Sequence, residues 1–143
     1  MGSIEKSEEF PVSPDKLWDV VGNPSRFEDW LSMHVKWKTE LPETIAVGTK
    51  LSEVVSVMNM PNTIEWTVEE YDAPSQIKLA GTGMAGVKIS IESGIEAAGS
   101  GSKLTIKTTF EGQMLVGAIG AAVEKAGLAD LDKSLAKLRD LLG

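Results

Sequence analysis

The stretch "SPDKLWDVVGNPSRFEDW" at residues 13–30 contains two helix-start signals in close succession. Ser13 is a favourable capping residue, and Pro14 suits the first helical position, where its missing N–H costs no hydrogen bond. Gly22 is a typical residue to end a helix, and the Asn-Pro pair directly after it repeats the start signal. The stretch therefore predicts two short helices, and the residues before it, from about 3 to 11, are expected to form a strand.

From residue 35 to residue 110 the apolar residues recur with a period of two, as they do in half-buried strands. The segments "TIEWTVEE" at 63–70, "VKISIESGIE" at 87–96 and "KLTIKTTF" at 103–110 alternate most regularly. Polar residues occupy the alternate positions, which is typical of antiparallel strands with one solvated face. With the N-terminal strand, this region predicts an antiparallel sheet of about seven strands.

After Gly112 the pattern becomes helical and stays so to the end of the sequence. Leucines recur there at spacings of three and four, which places them on one face of a helix. These leucines are Leu128, Leu131, Leu135, Leu138 and Leu142. We expect this face of a long C-terminal helix to pack against the sheet.

The predicted order of elements resembles that of the START-like (SRPBCC, helix-grip) superfamily, and within it the polyketide cyclase/dehydrase and lipid-transport proteins. The resemblance covers essentially the whole chain. It implies one α+β domain over residues 1–143, in which a curved antiparallel sheet wraps a long C-terminal helix and two short helices follow the first strand. Its most specific parts are the Ser-Pro-x-x-x-Trp start (Ser13, Pro14, Trp18), the Asn-Pro pair followed by Trp30, and the "SLAKLRDLL" ending.

This fold implies a cavity between sheet and helix for a small hydrophobic or amphipathic molecule, such as a lipid, fatty acid, quinone or polyketide. A pocket of about 300 Å³ left empty would cost on the order of 7 kcal/mol, so water, side chains or a ligand should fill it. The residues predicted to line the cavity and bind the ligand are apolar strand residues and residues that lead into the last helix. They are Trp37, Val55, Val57, Trp66, Val68, Leu79, Ile89, Ile91, Ile106, Phe110, Leu115, Ile119 and Val123.

Several glycines between Gly112 and Gly127 weaken the start of the last helix, because each costs up to about 1 kcal/mol relative to alanine in a helix interior. In the resembled fold this segment borders the cavity entrance, where a soft lid would admit a ligand. The alternative is an irregular loop, with the helix beginning near Gly120.

Three residues are candidates for proton transfer, should the protein be an enzyme of the cyclase or aromatase kind. Glu53 lies on a strand whose inward face the sequence does not identify. Facing inwards it would be a desolvated general acid, and facing outwards a solvated charge at the rim, which is the favoured interpretation. His34 is the only histidine, so a structural or exposed role is favoured over that of a base or lone metal ligand. Tyr71 lies near a strand end.

Composition excludes several classes of function. The net charge is −7 and the basic residues are scattered, so no nucleic-acid partner is expected. With no cysteine and one histidine, neither a metal site nor a cofactor is expected. The segment "GTGMAG" at 81–86 has the spacing of a phosphate-binding loop, but the period-two pattern after it predicts a strand. We therefore interpret it as a connection between two strands.

The N-terminal residues form no apolar segment of the kind that directs export, so a cytoplasmic location is expected. The longest apolar stretch is about half the length that spans a bilayer, so no stable membrane insertion is expected. A binding protein without strong catalysis is the first hypothesis, and a cyclase-type enzyme is the second. The third hypothesis is a protein that acts by binding another protein, as some toxins and chaperone partners in the resembled superfamily do.

Overall fold

Seven strands and three α-helices make up the described part of the chain in the computed structural model, which covers residues 2–57, 60–83, 86–113 and 117–142. The strands are β1 (Gly2–Phe10), β2 (His34–Trp37), β3 (Lys50–Val57), β4 (Met60–Asp72), β5 (Gln76–Thr82), β6 (Lys88–Ala98) and β7 (Gly101–Glu111). The helices are α1 (Pro14–Val21), α2 (Phe27–Trp30) and α3 (Gly117–Leu142), with a 3-10 turn at Pro24–Arg26 before α2.

All seven strands form one antiparallel sheet in the order β1-β7-β6-β5-β4-β3-β2. Consecutive strands from β2 to β7 are neighbours, and β1 joins β7, so the N-terminal and second strands are the two edges. The register aligns six inward-facing positions in one row across the sheet. The row runs through Leu51, Trp66, Gly81, Ile89, Phe110 and Gly2.

The two short helices begin as their sequences predict. The Ser13 hydroxyl accepts a hydrogen bond from the Lys16 backbone N–H at 3.3 Å, and α1 ends at Gly22. The Asn23 side chain accepts a hydrogen bond from the Ser25 backbone N–H at 3.2 Å and caps the 3-10 turn. Both helices bury their apolar residues, so they close one side of the sheet's inner face.

The long helix α3 lies on the inner face of the sheet along β1. Three of the predicted leucines, Leu131, Leu135 and Leu138, are buried, and Leu128 and Leu142 pack against the core. Two ion pairs join α3 to β1, Lys6 with Asp132 at 3.1 Å and Glu8 with Arg139. The curved sheet with α3 against it is the helix-grip α+β fold that the sequence predicts.

The glycine-rich segment at 81–86 connects β5 to β6, and a strand rather than a helix follows it. Gly86 has a φ of 74°, a backbone conformation that favours glycine in turns. Gly81 lies within β5, and a Cβ atom there would be 2.6 Å from the Glu65 carbonyl oxygen and 2.9 Å from the Trp66 ring. The segment therefore connects two strands, and its Gly81 leaves room for the Trp66 ring. Met84 and Ala85 lie outside the described residues.

Candidate functional site

A small cavity of about 70 Å³ lies between α3 and the inner face of β1, β6 and β7. Its wall is mostly apolar and includes two residues, Leu31 and Met33, from the loop that leads into β2. A volume of this size holds a few water molecules and is well below the roughly 300–1,000 Å³ of typical ligand pockets. The lining residues are Ile4, Leu31, Met33, Ile89, Ile91, Ile106, Thr108, Phe110, Val123, Gly127, Asp130, Leu131 and Ser134.

Five of the residues predicted to bind a ligand do line this cavity: Ile89, Ile91, Ile106, Phe110 and Val123. They come from β6, β7 and α3, which the fold brings together. As ligand contacts they stay predictions.

The other strand residues predicted to line the cavity lie elsewhere. Val55, Trp66, Val68 and Leu79 are core residues of β3, β4 and β5, and Trp37 of β2 is half-buried. None of the five borders the cavity, because the inner face of these strands is filled by their own large side chains, Trp66 above all. They do not line this cavity, and as ligand contacts they stay predictions.

Ile119 is 56% exposed and does not line this cavity, and as a ligand contact it stays a prediction. Glu124 of α3 lies beside Gly2, the first residue of β1. Ile119 precedes Glu124 in this helix, which rises about 1.5 Å per residue. The turn that carries Ile119 therefore extends beyond the end of β1. Leu115 lies outside the described residues, as does the side chain of Val57.

Glu53 faces inwards and is fully buried, so its interpretation as a solvated charge at the rim is wrong. It shares the inner face of β3 with the buried Leu51 and Val55. Its Oε1 atom accepts a hydrogen bond of 2.8 Å from the Trp66 indole N–H, and its Oε2 atom is hydrogen-bonded to Nδ1 of His34. Burial is possible because both carboxylate oxygens have partners.

His34 is buried as well, with a side chain only 4% exposed, so the exposed role considered for it does not apply. Its ring lies 5.3 Å from that of Trp37, and the Trp37 indole N–H donates a hydrogen bond of 3.0 Å to the Pro24 carbonyl oxygen. His34, Glu53 and Trp66 thus connect β2, β3 and β4. None of these three residues lines the cavity.

Tyr71 does not join this buried network. Its ring packs edge-to-face on Trp18 with centroids 5.6 Å apart. Glu53 pairs with Ile64 across β3 and β4, and the chain from Ile64 to Tyr71 is extended, so roughly 20 Å separates Tyr71 from Glu53. The three candidates for proton transfer therefore do not converge on one substrate position.

The loop between α2 and β2 is hydrogen-bonded to α3 beside the cavity. The Ser32 backbone N–H donates to the Ser134 hydroxyl at 2.9 Å, and that hydroxyl donates to the Asp130 carbonyl oxygen at 2.9 Å. The Ser32 hydroxyl donates a longer bond of 3.4 Å to Asp130 Oδ1. These bonds hold Leu31 and Met33 in the cavity wall.

The polar part of the cavity was not predicted from the sequence. Asp130 and Ser134 recur at helical spacing with Gly127 and Leu131, so they occupy the face of α3 that packs on the sheet. Polar residues on an otherwise apolar helix face are the signal that could have found them. Thr108 is an equivalent case on the inner face of β7.

Two larger concavities, of about 430 and 710 Å³, are open grooves on the outer face of the sheet. Charged and polar side chains such as Glu65, Glu69 and Lys88 form much of their walls. Such open grooves do not enclose an apolar molecule, so the cavity under α3 is the better candidate site.

Two further features of the described residues concern metals and membranes. Nowhere in the described ranges do three or more His, Cys, Asp or Glu residues come together as metal ligands would. No helix in those ranges has both the length and the hydropathy to cross a bilayer.

The sequence matches the family described as polyketide cyclase/dehydrase and lipid transport over residues 1–143. It is similar to an uncharacterized protein of Mycobacterium tuberculosis, Rv1546, with 32% identity over 143 residues and 100% of each chain covered. It is also similar to a protein of the same organism named Toxin Rv0910, with 33% identity over 135 residues and 94% of each chain covered.

Solved structures share the fold at low sequence identity. A START superfamily protein from Mycobacterium smegmatis has a TM-score of 0.79 and 15% identity, with 99% of each chain covered. Protein CV1439 from Chromobacterium violaceum has a TM-score of 0.77 and 13% identity, with 99% of this chain and 98% of that chain covered.

Proposed function

Because the chain belongs to the polyketide cyclase/dehydrase and lipid transport family, we propose that it binds a small hydrophobic or amphipathic molecule between α3 and the inner face of its sheet. The observation that carries this proposal is the mostly apolar cavity under α3, lined by Ile89, Ile91, Ile106, Phe110 and Val123. Transfer of apolar surface from water into such a cavity is the driving force for binding.

A ligand of ordinary size needs more space than the cavity offers, so binding includes an outward movement of the first half of α3. The buried residues of this helix, Leu131, Ser134, Leu135 and Leu138, all lie in its second half. The first half of α3 is therefore the segment whose displacement costs the least buried contact.

The free-energy cost of the empty cavity is consistent with a ligand-free protein in which α3 is closed on the sheet. At about 24 cal/mol per Å³, a void of this size costs on the order of 2 kcal/mol, which a domain tolerates. A preformed void of about 300 Å³ would cost several times more. The ligand-free protein is therefore expected to stay closed.

A cyclase-type enzyme is supported less well by the geometry. Glu53 and His34 form a buried pair with both carboxylate oxygens engaged, and Tyr71 lies far from them. A catalytic acid or base must reach the reacting atom directly or through one water molecule. Binding alone needs none of these residues.

A second candidate function comes from the relative named as a toxin, which is 33% identical over 94% of this chain. Under this proposal the chain arrests growth through another macromolecule. Induced expression in a bacterial host tests it, because growth arrest supports this function and normal growth at high protein level contradicts it.

Titration with N-phenyl-1-naphthylamine, a neutral fluorescent apolar probe, tests the proposed binding. We expect saturable uptake of one probe per chain. Val123→Phe fills the cavity and should weaken probe binding at least tenfold, whereas Ile119→Phe makes a similar change at an exposed position of the same helix and should alter binding less than twofold. Equal effects of the two variants, or no saturable uptake, would contradict binding under α3.

A further inference from the structure

Three polar residues interrupt the apolar wall of the cavity: Thr108, Asp130 and Ser134. The Ser134 hydroxyl already accepts a hydrogen bond from the Ser32 N–H and donates one to the Asp130 carbonyl oxygen, both at 2.9 Å. A hydroxyl carries a single hydrogen, so its donor capacity is used. Ser134 keeps one lone pair, so Thr108 and Asp130 are the polar residues of the wall with the most capacity left for a ligand.

Asp130 is a carboxylate on the face of α3 that packs on the sheet. Its recorded side-chain hydrogen bond is the long one from the Ser32 hydroxyl to Oδ1, at 3.4 Å. Within the described ranges no Lys, Arg or His forms an ion pair with it, whereas its neighbour Asp132 pairs with Lys6 at 3.1 Å. An ionised carboxylate at an apolar wall is stabilised by each hydrogen-bond donor that reaches it.

Thr108 lies on the inner face of β7, between Ile4 of β1 and Ile91 of β6 in the register of the sheet. Among the residues that the structure describes, its hydroxyl has no recorded hydrogen bond. Valine has the same shape and no polar atom, so an isoleucine-lined wall gains nothing in packing from a threonine. The hydroxyl of Thr108 offers a donor and an acceptor to a molecule in the cavity.

We propose that Asp130 and Thr108 select amphipathic ligands with an uncharged hydroxyl head group over fatty acids. The inference rests on the proposed function, since it concerns the same cavity. The ligand hydroxyl donates to the Asp130 carboxylate, Thr108 supplies a further hydrogen bond, and the apolar part of the molecule packs against Ile89, Phe110 and Val123.

The chemistry of other head groups explains the selection. A carboxylate head would stand beside Asp130 as a like charge at a mostly apolar wall, where the two charges repel. It would also bring no hydrogen-bond donor of its own to Asp130. A neutral alcohol or phenol has neither disadvantage, and a hydrogen bond to a charged group is among the stronger ones in proteins.

Displacement of N-phenyl-1-naphthylamine by three ligands with the same naphthalene skeleton tests this proposal. They are 2-naphthol, which is neutral at pH 7, 2-naphthoate, which is charged, and 2-methylnaphthalene, which has no polar group. For the wild-type protein we expect 2-naphthol to bind at least tenfold more tightly than 2-naphthoate.

Variants at the two residues separate the head-group contacts from general effects. Asp130→Asn should reduce the ratio of the two affinities below threefold, while Asp132→Asn, which changes the net charge equally at an exposed position, should leave it unchanged. Thr108→Val should weaken 2-naphthol severalfold and leave 2-methylnaphthalene unchanged. Ser32→Ala removes the hydroxyl bonded to Asp130 Oδ1 and should keep the wild-type ratio.

The outcomes that contradict the proposal distinguish the selection by head group from the proposed function. A wild-type ratio near one, or an equal fall of the ratio in Asp130→Asn and Asp132→Asn, overturns the selection by head group and leaves the proposed binding intact if the probe still binds saturably. Should Asp130→Asn not fold, unchanged binding of 2-naphthol by Thr108→Val overturns it instead. Absence of saturable probe uptake by the wild type overturns the proposed function itself.

Discussion

Trp66 donates a hydrogen bond of 2.8 Å from its indole N–H to Oε1 of Glu53, inside the core of the sheet. The other carboxylate oxygen of Glu53 is hydrogen-bonded to His34. The three residues come from three neighbouring strands, β4, β3 and β2, so the carboxylate joins the edge of the sheet to its centre. A buried polar group that is satisfied in this way makes the stability of the fold sensitive to each of its partners.

Replacement of Glu53 by leucine is expected to lower the free energy of unfolding by about 3–5 kcal/mol, because it leaves the His34 and Trp66 nitrogens buried without their hydrogen-bond partner. Glu53→Gln keeps an acceptor oxygen and should cost less. Urea unfolding followed by tryptophan fluorescence measures both changes.

The exposed carboxylate of Glu9 on β1 provides the control, since Glu9→Gln should change the free energy of unfolding by less than about 0.5 kcal/mol. A Glu53→Leu protein as stable as the wild type would show that the buried hydrogen bonds do not hold these strands together.

Alanine at Gly81 should destabilise the protein by about 2 kcal/mol or more, because its Cβ would lie 2.6 Å from the Glu65 carbonyl oxygen and 2.9 Å from the Trp66 ring. Gly94 in the adjacent strand β6 is the matched control, since a Cβ there meets only Gln76 Oε1 at 3.6 Å. Gly94→Ala should be neutral or stabilising, by up to about 1 kcal/mol. Chemical unfolding and near-ultraviolet circular dichroism of the tryptophans compare the two, and equal stabilities would contradict the close approach.

Removal of the Ser134 hydroxyl should release the loop that carries Leu31 and Met33. Ser134→Ala leaves the Ser32 N–H without its partner, so we expect a loss of about 1–3 kcal/mol and faster hydrogen exchange at the Ser32 amide. Ser3→Ala, at an exposed position of β1, should change neither quantity. An unchanged exchange rate at Ser32 in Ser134→Ala would show that this bond does not hold the loop.

The fold could be predicted because its signals are local. The capping residues Ser13 and Asn23 mark helix starts through bonds to backbone N–H groups two or three residues ahead, and the leucines of α3 repeat with the helical period. The strands could be predicted because their apolar residues alternate along the chain with a period of two, which is also a local signal. Such patterns depend on spacing along the chain and not on what lies opposite in space.

The site could be predicted only in part, because the inward face of β3 depends on distant partners. Glu53 is buried since Trp66 and His34 supply hydrogen-bond partners from neighbouring strands, and no local pattern shows this. The extent of the cavity depends in turn on where α3 crosses the sheet, which is why Ile119 lies beyond its end. Asp130 was missed because charged residues on a helix are ordinarily solvated.

The most direct test of ligand binding under α3 is a two-dimensional NMR titration of protein labelled at the isoleucine δ1 methyl groups. Addition of 2-naphthol should shift the methyl signals of Ile89, Ile91 and Ile106, which line the cavity, and leave those of Ile64 and Ile77, which are buried elsewhere in the core, unchanged. Shifts at Ile64 and Ile77 without shifts at the three cavity residues, or no saturable shift at all, would contradict the account.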